Sequence, residues 1–200
     1  MKLSILICSL AARAGVLSRL TGVLKPQLGP DVEVLVNIDD GTKPIGRKRN
    51  ELIARAKGEY VAFIDDDDLV SDDYVERIRA ATQDSPDCVG IEGVITFNGT
   101  NPRRFIHSIQ HTWRQEGGVY YRSPNHLNPI KRSLVVQCPF PEVNHGEDKA
   151  FSDVIRPLLK TEQYIDKTLY FYLYVRDVPV VVVKKKRPQI VTRPTKGLAG

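Results

Sequence analysis

Four consecutive aspartates, Asp65-Asp66-Asp67-Asp68, follow directly on the apolar run Tyr60-Val61-Ala62-Phe63-Ile64. Carboxylates crowded at one point are costly to ionise unless a cation or hydrogen-bond donors neutralise them. Hard divalent ions such as Mg²⁺ and Mn²⁺ take carboxylate oxygens. An ion held there can bridge two phosphates and stabilise a diphosphate leaving group. The plainer alternative is a solvated acidic turn ahead of a helix. Other residues able to do chemistry are spread along the chain: Ser9 and Arg13 behind the first apolar run, Asp39-Asp40-Gly41 behind the second, Lys48-Arg49, and Glu147-Asp148 after Gly146. Arg13, Lys48 and Arg49 are candidates to offset diphosphate charge, the arginines through paired hydrogen bonds. Lys48 reads equally well as part of a solvated helix face, and Glu147-Asp148 as the capped start of a helix.

Distant residues of this kind need a scaffold that gathers them. Residues 3–9 read as a buried strand, and Val16, Leu17, Leu20, Val23 and Leu24 recur at helical spacing over residues 13–24 until Pro26 and Gly29-Pro30 break the pattern. A strand over 32–38, a helix over 45–56 with Gly58 as its stop, a strand over 60–64 and a helix capped by Ser71-Asp72-Asp73 and running to Ala81 follow. Asp68 is a further candidate to cap that helix. This alternation predicts an α/β fold with a parallel sheet and crossover helices. Ligands in such sheets bind at the carboxyl ends of the strands, so Ser9, Asp39-Asp40 and Asp65 to Asp68 are expected at one sheet edge. The second half is less regular: a strand or strand pair over 89–97 with an irregularity at Gly93, hairpins and loops over 98–128, a helix over 152–159 cut by Pro157, and strands over 169–175 and 178–183.

Two hundred residues with 42% hydrophobic and 26% charged content suit one soluble domain. No run of 18 apolar residues is present, so no membrane span is expected. The opening apolar run is too short for a signal peptide and is soon followed by Arg13 and Arg19. Three widely spaced cysteines, Cys8, Cys88 and Cys138, form no zinc pattern and no disulfide framework, which favours a reducing, cytoplasmic setting. The net charge is +5, with Lys184-Lys185-Lys186-Arg187, Arg193 and Lys196 crowding the end of the chain. A basic tail over 184–200 suits a polyanionic partner, nucleic acid included, or a plain solvated surface. Trp113, Tyr120 and Tyr121 lie among Arg103, Arg104, Arg114 and Arg122, where rings either stack on sugars or bases or simply pack.

The segments Gly46-Arg47-Lys48-Arg49-Asn50 and Ala56-Lys57-Gly58-Glu59-Tyr60, running on into Phe63-Ile64-Asp65-Asp66-Asp67-Asp68, resemble family 2 glycosyltransferases. Their pattern is a Gly, an Arg-Asn pair, an Ala-x-Gly-x-Tyr step and Phe-Leu-Asp-x-Asp-Asp. Asp39-Asp40-Gly41-Thr42 resembles the family's Asp-Asp-Gly-Ser turn, and Gly146-Glu147-Asp148 with Phe151 its Gly-Glu-Asp element. The ordered set covers residues 3–175 and is similar to short, stand-alone bacterial and phage members, whose flavour Asn125 to Ile130 and Leu158 to Glu162 share. The resemblance implies a GT-A fold: a mostly parallel nucleotide-binding sheet flanked by helices over 1–97, and a smaller mixed acceptor-side region over 98–183 of the same domain. It implies inverting, metal-dependent sugar transfer from a nucleotide-sugar, in this family a UDP-sugar, with GDP and dTDP donors not excluded.

The same resemblance implies roles. Asp39 would accept a hydrogen bond from the base; its plainer role is a turn-former beside Gly41. Asp65 and Asp67 form the Asp-x-Asp pair, with Asp67 on Mn²⁺ or Mg²⁺ and Asp65 or Asp66 on the ribose or the ion's waters. Ser9, Arg13 and Arg49 join the donor site. Asp148 would be the catalytic base, and His126 and Glu147 would touch sugar or acceptor, with His145 a weaker candidate. A phage-type enzyme in the host cytoplasm that glycosylates modified DNA fits the basic charge; other hydroxyl acceptors stay open. Two alternatives compete. A nucleotidyltransferase of related fold is disfavoured by the Gly-Glu-Asp element and by the lack of an early Gly-rich phosphate loop. A non-catalytic nucleic-acid-binding module leaves the acidic cluster unexplained. Sequence sets no oligomeric state.

Overall fold

Residues 1–175 are described by the structure, a computed structural model. The strand expected over 178–183 and the basic tail over 184–200 lie outside them. β1 (Leu3–Leu10), β2 (Val32–Asp39) and β3 (Tyr60–Phe63) form the parallel part of the sheet, with β1 in the middle. α1 (Ala14–Leu24) follows β1 through a 3-10 turn at Ala11–Arg13, and α2 (Ile45–Arg55) follows β2. After β3 come β4 (Leu69–Val70) and α3 (Tyr74–Ala81). β1, β2, β3, α1, α2 and α3 are the elements that periodicity predicts, whereas the two-residue β4 is not among them.

β1 shows why the sheet is buried on both faces. Its odd positions Leu3, Ile5 and Ile7 pack with Leu20 and Leu24 of α1 and with Tyr74, Val75 and Ile78 of α3. Its even positions Leu6 and Cys8 face Leu52 and Ile53 of α2, together with Phe140, Phe151 and Ile155. Side chains alternate across a strand, so an unbroken apolar run needs a helix layer on each side. All three cysteines are buried and free, and each packs as a small hydrophobe.

The second half extends the same sheet. β5 (Cys88–Phe97) is a single strand and is antiparallel to β6 (Thr100–His107). β7 (Arg114–Glu116) and β8 (Val119–Arg122) form a hairpin on the far side of β6. β9 (Ile130–Lys131) bridges β3 and β5, so one sheet runs across residue 97 and the two expected halves share it. α4 (Arg132–Val135) and α5 (Glu147–Ile155) follow, and a 3-10 turn at Arg156–Leu158 holds Pro157 at its start. β10 (Glu162–Tyr174) runs parallel to β5 and antiparallel to β4, with register shifts around Thr168. The irregularity at Gly93 has a steric cause: a Cβ there would lie 2.2 Å from the Tyr170 carbonyl oxygen and 2.4 Å from the Phe105 ring.

Several local expectations differ from the structure, the helix expected over 152–159 running instead over Glu147–Ile155. α3 begins at Tyr74 with no side-chain cap; Asp73 instead accepts from Arg77 and Lys167. Asp68 caps nothing, being drawn inward to Tyr170 and the Leu173 amide. Gly58 lies beyond the last turn of α2 because a Cβ would come within 2.5 Å of the Ser4 amide nitrogen, a demand of packing rather than of helix termination.

Candidate functional site

Strand ends gather the acidic residues as topology demands. Leu10 pairs with Asp39 across β1 and β2, and the Ile64 amide bonds to the Leu6 carbonyl just ahead of the aspartate run. Lys48 of α2 reaches into this edge, donating to Asp39 Oδ1 at 2.7 Å and to the Ser9 carbonyl at 2.8 Å. Asp39 Oδ2 accepts from the Lys43 amide at 2.9 Å, so Asp39 does form the turn beside Gly41. The Lys48 hydrogen bond comes first among the causes that hold the Asp39 carboxyl below its ordinary range. Lys48 is buried, which corrects its reading as part of a solvated helix face: a helix that crosses strand ends puts one flank into the site.

The four aspartates separate into distinct environments. Asp66 is only 2% exposed; its Oδ2 accepts from Ser9 Oγ at 2.6 Å and its Oδ1 from Arg13 Nη1 at 2.7 Å. Burial, reinforced by the neighbouring aspartates, raises its pKa against those two donors. Asp67 has a side chain 42% exposed and pairs through Oδ2 with Arg13 Nη2. Asp68 is buried, and burial followed by the charge of Asp65 pushes its pKa up to about 8. Asp65 points the other way. Its Oδ1 accepts from Arg49 Nη2 at 3.2 Å and its Oδ2 lies 3.4 Å from His126 Nε2. Burial works to raise its pKa, but His126 and Arg49 outweigh it and hold the carboxyl low.

Arg49 joins this edge to the distant Gly-Glu-Asp segment. Its Nη1 donates to Glu147 Oε1 at 2.7 Å, and its guanidinium lies 5.6 Å from the Phe63 ring centroid and 5.4 Å from that of Phe140. Glu147 and Asp148 form the first turn of α5, whose N-cap is Gly146 at φ 80°. Glycine takes this left-handed conformation without strain, and acidic residues in a first turn meet the favourable end of the helix dipole. Asp148 is half-buried and has no hydrogen bond or ion pair among the described residues.

Between these two walls lies a cavity of about 520 Å³. It is lined by Arg49, Asp65 and His126, by His145, Gly146, Glu147 and Asp148, and by Phe97, Trp113, Tyr120, Arg122, Tyr172 and Tyr174. The segment carrying His126 is held firmly. Asn128 Oδ1 accepts from the Asn125 amide, Asn128 Nδ2 donates to the Val89 carbonyl, and the His126 carbonyl accepts from the Phe63 amide. His126 Nδ1 and Arg49 Nε have no partner.

The structure thus brings Arg49, Asp65, His126, Glu147 and Asp148 to one cavity. Ser9, Arg13, Asp66 and Asp67 form an adjoining network, joined to Asp39 through Lys48 and the Ser9 carbonyl. Tyr170 and Tyr172 were not singled out by residue type. Tyr170 OH donates to Asp68 Oδ2 at 2.8 Å and accepts from the Asp65 amide at 3.1 Å. The signal available was alternation, since Tyr170, Tyr172 and Tyr174 fall on one face of a strand.

The fit of a cation depends on the donors themselves. No group of three His, Cys, Asp or Glu side chains is arranged to hold a metal among the described residues. Asp65 and Asp66 are engaged, whereas Asp67 is half-exposed with only Oδ2 paired. These donors fit a hard ion of the Mg²⁺ type, which uses one or two carboxylates and completes its shell with substrate phosphates and water. They do not form an all-protein cage.

The sequence model for glycosyl transferase family 2 matches residues 25–140, more than half of the chain. The chain belongs to glycosyl transferase family 2. The matched stretch holds Asp39, Arg49 and Asp65 to Asp68; Ser9 and Arg13 precede it, and Glu147 and Asp148 follow it. Among relatives, EpsH of Bacillus subtilis (strain 168), assigned as a glycosyltransferase, is 30% identical over 144 residues, or 64% of this family 2 chain and 41% of EpsH. Among solved structures, residues 1–349 of S. aureus TarS in complex with UDP-GlcNAc superpose with a TM-score of 0.67 at 17% identity, covering 87% of this chain and 59% of that one. The same TarS fragment with UDP gives 0.68 at 18%, covering 87% and 61%. These neighbours show the GT-A fold. This family 2 chain spans less than two thirds of the length of any of these relatives. No helix among the described residues is long and apolar enough to cross a membrane.

Proposed function

We propose that the chain performs inverting glycosyl transfer from a UDP-sugar to a hydroxyl acceptor, with Asp148 as the base. The observation that carries this is the cavity whose walls are Asp65 with Arg49 and Glu147 with Asp148. The UDP-bound state of TarS supports the choice of nucleotide. The Asp39–Lys48 pair and the Ser9–Asp66–Arg13–Asp67 network would receive the nucleoside diphosphate, with Arg13 and Lys48 offsetting its charge. Mn²⁺ or Mg²⁺, held by Asp67 and the diphosphate, would supply further neutralisation of the leaving group.

Asp148 is suited to its task because no other group among the described residues bonds to its oxygens. A general base must be ionised and within reach of the proton it takes. The acceptor hydroxyl gives its proton to Asp148 while its oxygen bonds to the anomeric carbon. The bond from that carbon to the diphosphate oxygen breaks on the opposite face, and its electron pair leaves with UDP. Glu147 is fixed by Arg49 and serves as wall and orienting acceptor. DNA carrying hydroxymethylated pyrimidines, suggested by the net charge of +5, is one hydroxyl acceptor to include. If such DNA neither binds salt-dependently nor takes sugar, that acceptor is removed.

A panel of UDP-, GDP- and dTDP-sugars in the presence of Mn²⁺ tests the donor. At least one UDP-sugar should raise the melting temperature and release UDP. Pyrophosphate release would mark nucleotidyl transfer, and no stabilisation by any donor would overturn the reading. Asp148→Asn should keep UDP binding and lose turnover by about 100- to 10,000-fold. Turnover equal to the unmodified chain would remove the base assignment.

A further inference from the structure

The cavity holds one guanidinium that no carboxylate pairs directly among the described residues. Arg49 is matched by Glu147 and Asp65, but Arg122 makes no ion pair among the described residues. Its Nη1 donates to the Arg114 carbonyl at 3.0 Å and to the Tyr121 carbonyl at 2.8 Å. These bonds fix the guanidinium and leave Nε and Nη2 without partners. The Trp113 ring centroid lies 4.8 Å from the Arg122 Cζ and that of Tyr120 lies 5.2 Å away. Burial lowers the Arg122 pKa, with Tyr120 and Asp148 opposing, so the charge is partly stripped of water.

Trp113 ties this arrangement to the helix that carries Asp148. Its Nε1 donates to Ser152 Oγ at 3.3 Å, and the Lys149 ammonium lies 5.6 Å from its ring. Lys149 is paired with Asp153, which leaves Arg122 as the uncommitted charge. A guanidinium held between rings, with two donors open, has the fork geometry that matches an oxyanion. A neutral sugar would leave that partly desolvated charge uncompensated.

We propose that Arg122, set between Trp113 and Tyr120 in the cavity that Asp148 also lines, is the subsite for an oxyanion, a phosphate or a carboxylate, carried by the acceptor. The proposal rests on the glycosyl-transfer reading and names its acceptor class: a hydroxyl compound bearing a negative group near the hydroxyl that Asp148 deprotonates. Arg122 shares no hydrogen bond with the Ser9–Asp66–Arg13–Asp67 network or the Asp39–Lys48 pair, so its oxyanion is distinct from the donor's own diphosphate.

Trp113 is the sole tryptophan of the chain, so its fluorescence reports on this subsite. Inorganic phosphate, glycerol 3-phosphate and glucuronate should each be titrated at constant ionic strength, beside glycerol and glucose. At least one anion should change Trp113 emission saturably, and the neutral compounds should not. The change should persist with UDP at saturation, weaken at least tenfold in Arg122→Gln, and survive in weakened form in Arg122→Lys. A UDP-induced melting shift equal to that of the unmodified chain checks that Arg122→Gln is folded. Absence of a saturable anion effect, an unchanged effect in folded Arg122→Gln, or an equal response to neutral compounds would overturn the subsite. Loss of the anion effect under UDP would assign the oxyanion to the donor and overturn the acceptor claim. A chain that shows the Trp113 response yet no melting shift with any donor would refute the glycosyl-transfer reading and leave the anion site standing.

Discussion

His107 shows how one residue's surroundings set its chemistry. It is buried, its Nδ1 lies 3.2 Å from Asn128 Oδ1, and its ring packs 4.9 Å from that of Phe105. Burial, opposed by the Asn128 bond and reinforced by the charges of His126 and Arg122, pushes its pKa down to about 3. The unfolded chain binds this proton near the ordinary value of 6.5 and the folded chain does not. Stability from His107 is therefore present above about pH 6.5 and is lost as pH falls toward about 3. In a proton NMR titration the His107 ring signals should hold their neutral positions down to pH 4, and a midpoint near 6.5 would contradict the burial argument. Residue type alone revealed Asp65 to Asp68 as chemistry, but not their division of labour. Asp68 turns inward because Tyr170, 102 positions later, waits beneath it. Lys48 has the composition of a surface residue, and only the crossing of α2 over the strand ends buries it. Arg122 was one of four arginines in a loop-rich stretch until the hairpin placed it.

At the scale of elements, close approach governs α2. A Cβ at Gly46 would lie 1.8 Å from the Pro141 carbonyl oxygen and 2.9 Å from its carbon, both backbone atoms. The Gly46 amide also bonds to the Val143 carbonyl at 3.2 Å. Gly46→Ala must displace the segment that leads into Glu147 and Asp148, with a cost of about 1–3 kcal/mol or more. Gly22→Ala in α1 meets nothing within 4 Å and should stabilise by about 0.5–1 kcal/mol. Urea denaturation of both variants checks the contrast; a neutral Gly46→Ala would show that this approach is looser than described. The first-half elements were legible because each strand and helix carries its own period and its own breaker. β10 was seen only from residue 169, since its first stretch over 162–168 alternates poorly and crosses a register shift. The pairing of β10 with both β4 and β5 is a tertiary choice that no local pattern encodes.

For the whole molecule, the donor should act as a stabiliser. A ligand that binds only the folded state at one hundred times its dissociation constant adds about 2.7 kcal/mol. For a domain of this size that is a rise in melting temperature of roughly 5–10 °C. Calorimetry with UDP and Mn²⁺ checks it, and a shift that does not grow with UDP concentration would exclude specific binding. The GT-A layout was legible as a class from strand and helix alternation, whereas the cavity was not, because its walls come from β8, α5, β10 and the segment at His126.

Arg49 carries an implication for how such a chain could change its substrate. One flat ion, touching Asp65 on one flank and Glu147 on the other, acts as a spacer whose width is fixed by covalent geometry. Lengthening a surface loop would leave that gauge untouched. A different spacing between those two acidic walls requires replacing the spacer itself, together with both of its anionic neighbours.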